Sequence, residues 1–349
     1  MTEPGPELPG KVTIYQVAKA AGVSITTVSH ALNRPDKVSE RTRARVLDVV
    51  DQMNFVPSAA AVSQARKGLG RIAVLAPFTS YASYLARLRG MMGVCDGQVD
   101  LVVFDQPSVA ASRAPLMRSL PASGRFDGIV IMGLPIDDAM AESLHRRGLP
   151  VVLVDSTHPT LSSVNIDDAA GGLALGRHLL ANGCRSFAFV SEVQASADYL
   201  SPGQRRIQGL VSALEEGGLD PGSAHWVMTG NNLNGGREAV RKIASIGDTP
   251  DAVLAHHDDL AAGVLLGLRD RGIRVPDDVQ VTGYDDGDLA EALDLTTVRQ
   301  PMVETGEAAA SMMLGLLSGS DRPVHTIAIT PQLVIRASTQ PEKGANHAP

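Results

Sequence analysis

The stretch TIYQVAKAAGVSITTVSHALN, Thr13 to Asn33, decides how the rest of the chain is read. It spells two short helices around a tight turn. Thr13 can cap the first helix, and Gln16 sits three residues on, a capping box for backbone N–H groups that lack intrahelical partners. Ile14, Val17, Ala18 and Ala21 keep the i, i+3, i+4, i+7 spacing of one buried helical face. Gly22 supplies the reversal, since without a Cβ it takes positive φ at little cost. Ser24 caps a second helix that turns Val28 and Leu32 inward and leaves Ile25, Thr26, Thr27, Ser29 and His30 on its surface. That is a helix-turn-helix, whose second helix suits the DNA major groove.

An ordinary helical hairpin is the alternative, because two alanine-rich helices around a glycine are common. The exposed face favours DNA. It carries small hydroxyls and a histidine, with Lys19 and Lys37 near its two ends. Short hydroxyls approach phosphates closely, and an imidazole can reach a base edge. Ile25, Thr26 and His30 are therefore assigned to base edges. Ser24, Thr27, Ser29 and Asn33 are assigned to phosphates, and Thr13 completes the set.

The segment resembles the N-terminal signature of the LacI/GalR family of bacterial transcription repressors. The likeness continues through VSERTRARV (38–46), through FVPSAAA (55–61), and through VNIDD, RRIQG, GYDD, TTVRQP and LVIRAST in the family's order. It covers roughly Lys11 to Thr339. It implies a small all-α helix-turn-helix head (11–56), a hinge segment (57–68) and an α/β two-lobed periplasmic-binding-protein-like core (71–340) of doubly wound parallel sheets. The lobes would take about 71–166 with 298–328, and about 167–297 with 329–340, joined by three crossing strands. Residues 1–10 read as a disordered leader and 341–349 as a polar tail. In the family, paired hinge segments enter the minor groove, which implicates Ser58, Ala61 and Gln64. Gln64 stands where relatives carry a leucine wedge, and an amide is a poor apolar wedge.

Charge distribution agrees with a DNA-binding head. The chain of 349 residues carries a formal charge of −7. Residues 1–70 hold nine Lys/Arg against six Asp/Glu, leaving 22 against 32 for the remainder. A basic head on an acidic body confines DNA contact to the head. Cys95 and Cys184 form no spaced framework and read as buried small hydrophobes in a reducing compartment. No apolar run reaches the roughly 18 residues of a membrane span, and no secretory signal pattern opens the chain, so a cytoplasmic protein with no membrane contact is expected.

From Arg71 the grammar changes. IAVLAPF, VDLVVFD, FDGIVIMG, LPVVLVDST, SFAFVSE, HWVMTG, DAVLAHHD and VQVTGYDD are short β-rich runs. Helical stretches follow most of them, at Asp137–Arg147, Ala169–Ala181, Gly203–Glu216, Leu260–Arg271 and Met302–Leu317. Apolar strands alternating with amphipathic helices mean parallel sheets covered on both faces. Ligands of such sheets sit beyond the strands' carboxyl ends, here in a cleft between lobes. Phe78 and Ser80 follow the first strand, Asp155 the LPVVLV run, His257 the DAVLA run and Asp285 the VQVTGY run. The family carries a ligand-binding arginine at Arg206. An arginine fork and an acceptor-only carboxylate suit a sugar or a nucleoside-like metabolite, with Trp226 the only tryptophan available for stacking. An interlobe salt bridge is the structural alternative for Arg206 and Asp285.

His256-His257-Asp258-Asp259 is assigned no metal, on the expectation that adjacent histidines at a strand end face opposite ways. No phosphate loop, nucleophile elbow or dinucleotide fingerprint follows a strand, so no cofactor and no enzyme activity are expected. The chain lacks the terminal heptad segment that makes some relatives tetramers, so a homodimer on two-fold operator DNA is expected. A metabolite sensor or solute-binding module without specific DNA binding is the competing reading.

Overall fold

A computed structural model describes residues 12–33, 37–53, 55, 70–106, 124–192, 200–319 and 323–340. The expected leader, the hinge candidates Ser58, Ala61 and Gln64, the tail and the Asn33 side chain lie outside the described residues.

The head is three helices: α1 (Ile14–Ala21), α2 (Ile25–Asn33) and α3 (Glu40–Gln52). Thr13 N–H donates to Gln16 Oε1 at 2.7 Å, and Gly22 closes α1 at φ 63°. Ser24 Oγ accepts from Thr27 N at 3.0 Å and opens α2, while Ser39 does the same for α3 through Thr42 N. Val17, Ala18, Ala21, Val28, Leu32, Val46 and Val50 are buried together, as the spacing predicts. Two details differ. Ala31 and Leu47 are also buried, whereas Val49 and Met53 only flank the core, because the face of α3 turned inward is centred on Val46, Leu47 and Val50.

The chain divides into two compact units, Met1–Ser163 with Gly306–His325 and Val164–Thr305 with Thr326–Pro349. The head belongs to the first. The chain passes between units three times, and the second passage comes after Thr305 rather than near 298. The reason is local pairing. Strand β10 (Thr297–Arg299) pairs antiparallel with β12 (Gln332–Val334), which keeps TTVRQP with the second unit.

In the first unit β1 (Gly70–Ala76) lies between β2 (Val99–Asp105) and β3 (Gly128–Met132), with β4 (Val151–Val154) beyond β3; the next strand, β5 (Ser162–Ile166), spans the division between the units. The registers of β1 with β2, β1 with β3 and β3 with β4 are parallel. Ala73, Leu75, Ile129, Ile131, Val151 and Leu153 bury one face of this sheet. Helices α4 (Ser83–Cys95) and α5 (Asp138–Arg146) follow β1 and β3. No sequence pattern announces α4, whose weak amphipathicity reflects a helix with Tyr84, Arg87, Met91 and Cys95 all turned inward. Strand β5 holds the start of VNIDD.

In the second unit the parallel order is β7-β6-β8-β9, formed by His225–Thr229, Phe187–Glu192, Ala252–Ala255 and Gln280–Thr282. Four helices pack as two close pairs: α6 (Asp168–Ala181) with α7 (Pro202–Glu216), and α8 (Leu233–Ile246) with α9 (Asp258–Arg269). A short helix, α10 (Asp288–Ala292), follows β9; α11 (Met302–Leu317) then enters the first unit after Thr305, and β11 (Thr326–Ile329) returns to the second. Glycines set both crossings. A Cβ at Gly172 would meet the Arg206 carbonyl, and one at Gly209 the Ala169 carbonyl. At the other crossing, Gly236 and Gly263 face each other backbone to backbone, with the built Cβ of Gly236 2.6 Å from the Gly263 Cα. Among the described residues no helix is long and apolar enough to cross a membrane.

Candidate nucleic-acid interface and effector site

On the head, Ile25 and Thr26 are exposed at the start of α2, and Thr27, Ser29 and His30 are half-buried along its flank. Val28 is fully buried behind them. The Ser24 and Thr27 hydroxyls lie 2.9 Å apart, so capping and any phosphate contact draw on the same oxygen pair. Thr13 spends its backbone and hydroxyl on Gln16, which makes it a cap before it is a DNA contact. Tyr15, outside the Ile14–Val17–Ala18–Ala21 stripe, is 69% exposed on α1.

In the second unit β6 and β8 are neighbours whose onward connections run to opposite sides of the sheet, the point where open parallel sheets take ligands. Arg206 converges here from α7, which Ser201 and Gln204 start with a capping box. Its Nε donates to Asp168 Oδ1 at 2.8 Å and its Nη1 to the His256 carbonyl at 2.7 Å. Its Nη2 lies 3.6 Å from Asp285 Oδ1, and the guanidinium stacks 3.8 Å from the Tyr284 ring centroid. Burial pulls the guanidinium pKa down, but the Asp168 and Asp285 carboxylates override it and hold it raised. Asp285 is also bonded by Gln300 Nε2. Asp285 and Asp286 both take positive φ, 110° and 59°, a left-handed backbone costly outside glycine and typical of sites that hold strain. Arg299 and Arg336 grip Asp286 at 2.6 and 2.7 Å.

Sequence reasoning reached Arg206 and Asp285 and missed Asp168, Tyr284 and Gln300. Each missed residue lies inside a quoted motif: VNIDD, GYDD and TTVRQP. Adjacency in three dimensions, which motif order does not encode, is what joins them.

His257 caps α9, accepting from Leu260 N at Nδ1 over 3.3 Å. That bond fixes the tautomer: Nε2 carries the hydrogen, and it is buried with no bond partner among the described residues. Burial lowers the His257 pKa to about 4, and burial beside Arg206 takes His256 well below its usual range, so both rings are neutral donors or acceptors at neutral pH. The expectation that the two rings face opposite ways is corrected. Both lie past the end of β8, where strand alternation no longer applies, and their centroids are 5.6 Å apart edge to face. No group of three or more His, Cys, Asp or Glu arranged for a metal occurs among the described residues.

Trp226 is not brought to this cluster. It lies in the amino-terminal half of β7, paired with Phe189 in register and packed on that ring at 5.5 Å, while the strand's carboxyl end is at Thr229. In the first unit, Phe78 is buried and Ser80 half-buried on the turn after β1, which Asp105 anchors through Thr79 at 2.7 Å. Asp155 follows β4 as expected and has a partner within its own unit. Its carboxylate is in a buried ion pair with Arg87 at 2.7 Å, and both side chains are 3% exposed or less.

Asp258 opens α9, with its carboxylate accepting from Thr297 Oγ1 at 2.7 Å and Gly287 N at 2.8 Å. Burial first, then the nearby Asp285 charge, raises its pKa despite those bonds. Between the ordinary carboxylate value of 3.8 and the raised one, the native state holds a proton that the unfolded chain has released. Stability from this group is therefore greatest below about pH 4 and falls as pH climbs toward the raised pKa. Asp258→Asn is expected to gain on wild type steadily from pH 5 to pH 8 in urea midpoints; parallel curves would mean the carboxyl is ionised throughout.

The family model described as "Bacterial regulatory proteins, lacI family" matches residues 13–58, and that described as "Periplasmic binding protein-like domain" matches residues 177–339. The HTH-type transcriptional regulator DegA of Bacillus subtilis (strain 168) is 32% identical, covering 95% of this chain and 99% of its own. The HTH-type transcriptional repressor PurR of Vibrio vulnificus is 30% identical over 93% and 97%. A LacI family transcriptional regulator from Enterococcus faecium, solved with bound ribose, superposes with a TM-score of 0.69 at 25% identity, over 78% of this chain and 100% of that one. With a capped helix-turn-helix at one end and two α/β units behind it, the chain belongs to the LacI family of bacterial regulatory proteins.

Proposed function

We infer that the protein is a homodimeric transcriptional repressor whose head binds a two-fold pseudo-palindromic operator and whose affinity a small neutral metabolite adjusts. The observation that carries the DNA reading is α2, held by its Ser24 cap and buried Val28 with Ile25, Thr26 and His30 at its accessible face. The fork of Arg206, the Asp285 carboxylate and the His257 Nε2–H give the effector site its donors and acceptors. Arg206 is already neutralised by Asp168 and Asp285, which favours an uncharged polyol, a sugar or a nucleoside, over an anion. The relative solved with ribose supports that class. Phe78 and Ser80 are proposed as further effector contacts. Asp155, paired with Arg87, and Trp226, packed on Phe189, are proposed to serve the fold rather than the effector.

A dimer accords with apolar side chains left exposed on α4, Leu85 and Met92, and on the edge strand β2, Val103. We place the protein in the cytoplasm, where its DNA lies, and assign it regulation rather than catalysis.

Selection from random duplex DNA, followed by titration with sugars and nucleosides, tests the reading. A two-fold site is expected, with affinity falling steeply as salt rises because phosphate contacts release counterions. One metabolite should shift that affinity by about 1–3 kcal/mol. His30→Ala should relax base preference at its contact positions by about 1–3 kcal/mol while leaving the salt slope nearly unchanged. Unaltered base preference in that variant would remove α2 from the reading role.

A further inference from the structure

Arg147 follows the last residue of α5 as its C-cap and belongs to the sensor body, yet its guanidinium is engaged by the head. Nη2 donates to Asp51 Oδ1 at 2.7 Å and Nη1 to the Phe55 carbonyl at 3.1 Å. The Arg147 side chain is only 6% exposed, so this is no loose surface pair. Asp51 lies in the last turn of α3, where unpaired carbonyls give the helix end a partial negative charge that a cation complements. Phe55, buried against the head core, is the last described residue before the body begins at Gly70. We propose that Arg147 is a latch that docks the DNA-reading head onto its own body, so that the head is tied to the first unit by a side chain as well as by the chain between Phe55 and Gly70.

The position of α5 gives the latch its use. The helix starts just beyond the carboxyl end of β3, the edge of the sheet where ligands of this fold class sit, and runs back for nine residues. At 1.5 Å per residue it spans roughly 13 Å and delivers Arg147 to the opposite edge. A shift of the Gly133–Asp137 turn is therefore carried along α5 to Asp51. The contacts use α3 and Phe55, three residues beyond its end, and leave the α2 side chains uninvolved, so the latch holds the head without occupying the reading face. Neighbouring charges define the junction. Arg146 repels Arg147 from the adjacent position and is itself paired with Glu142 at 3.2 Å, while Asp51 is the carboxylate that answers Arg147. The inference is independent of which DNA or metabolite the protein recognises.

Spin labels at Tyr15→Cys on the head and Ala139→Cys on α5, both exposed positions, report the docking in full-length protein without DNA. Label-diluted dimers isolate the distance within one protomer. The distance distribution is expected to be narrow with Arg147 present, to broaden at least twofold in Arg147→Ala and in Asp51→Asn, and to recover most of its short-distance fraction in Arg147→Lys. A distribution as broad in the parent as in Arg147→Ala overturns the latch, as does an equally narrow one in both. Broadening that Arg147→Lys fails to repair assigns the effect to lost packing and overturns the ionic mechanism.

Discussion

Asp155→Ala is expected to lower stability by about 3–5 kcal/mol, the cost of leaving a buried cation without its partner. Arg87 has almost no solvent to fall back on, and its bond to the Ser83 carbonyl at 3.2 Å satisfies a donor without cancelling a charge. The Tyr84 ring, 5.4 Å away, offers a weak cation–π contact that does not replace a carboxylate. Backbone geometry adds to the penalty. Asp155 takes φ 56°, which aspartate and asparagine tolerate better than alanine. Asp155→Asn therefore separates the two contributions: it keeps the left-handed preference, loses the charge, and should fall between wild type and alanine in urea midpoint. Adding Arg87→Met to Asp155→Asn should recover part of the loss, because the uncompensated charge is then gone. A midpoint unchanged by alanine, with ligand response lost instead, would return Asp155 to the effector set.

Arg206→Ala is expected to be as costly to the fold, about 3–5 kcal/mol, and to abolish the response of DNA binding to any metabolite. Asp168 is 1% exposed and would lose its 2.8 Å partner, keeping a longer 3.8 Å ion pair to Arg205, while Tyr284 would lose the cation stacked on it. Arg206→Lys is the sharper variant. An ammonium is a point charge and cannot serve Asp168, the His256 carbonyl and Asp285 together while lying flat on a ring. It should keep most of the stability that depends on charge, with a loss of about 1–3 kcal/mol, yet respond to the effector at least tenfold more weakly. Thermal unfolding and operator titration on the same preparations read the two effects separately. Full response in Arg206→Lys would mean that the fork holds the fold and never meets the ligand.

Those two ion pairs show what the sequence could and could not convey. Head caps, glycine turn, strands and most helices follow from local rules, because a capping box or an alternation of apolar runs is written in consecutive residues. Asp155 was legible as the residue after a strand but not as the mate of Arg87, since the pair joins a strand end to a helix that carries no strong periodicity. Trp226 suits stacking by residue type, but the register of β7 places it at the amino-terminal end of its strand. The His257 ring nitrogen accepts the helix-capping bond that a serine or asparagine side chain would take, a role visible only once the backbone is in place.

The glycine-on-backbone crossings of the second unit bear on how such a regulator can be recombined. Because α6 and α7 meet main chain to main chain at Gly172 and Gly209, and α8 and α9 at Gly236 and Gly263, no side chain cushions a change of spacing. A chimaera that imports α6 alone, with alanine in place of Gly172, would drive a methyl into the turn of α7 that carries Arg206. The smallest exchangeable module is thus a helix pair together with the strand it follows, and graft boundaries belong in the turns between pairs.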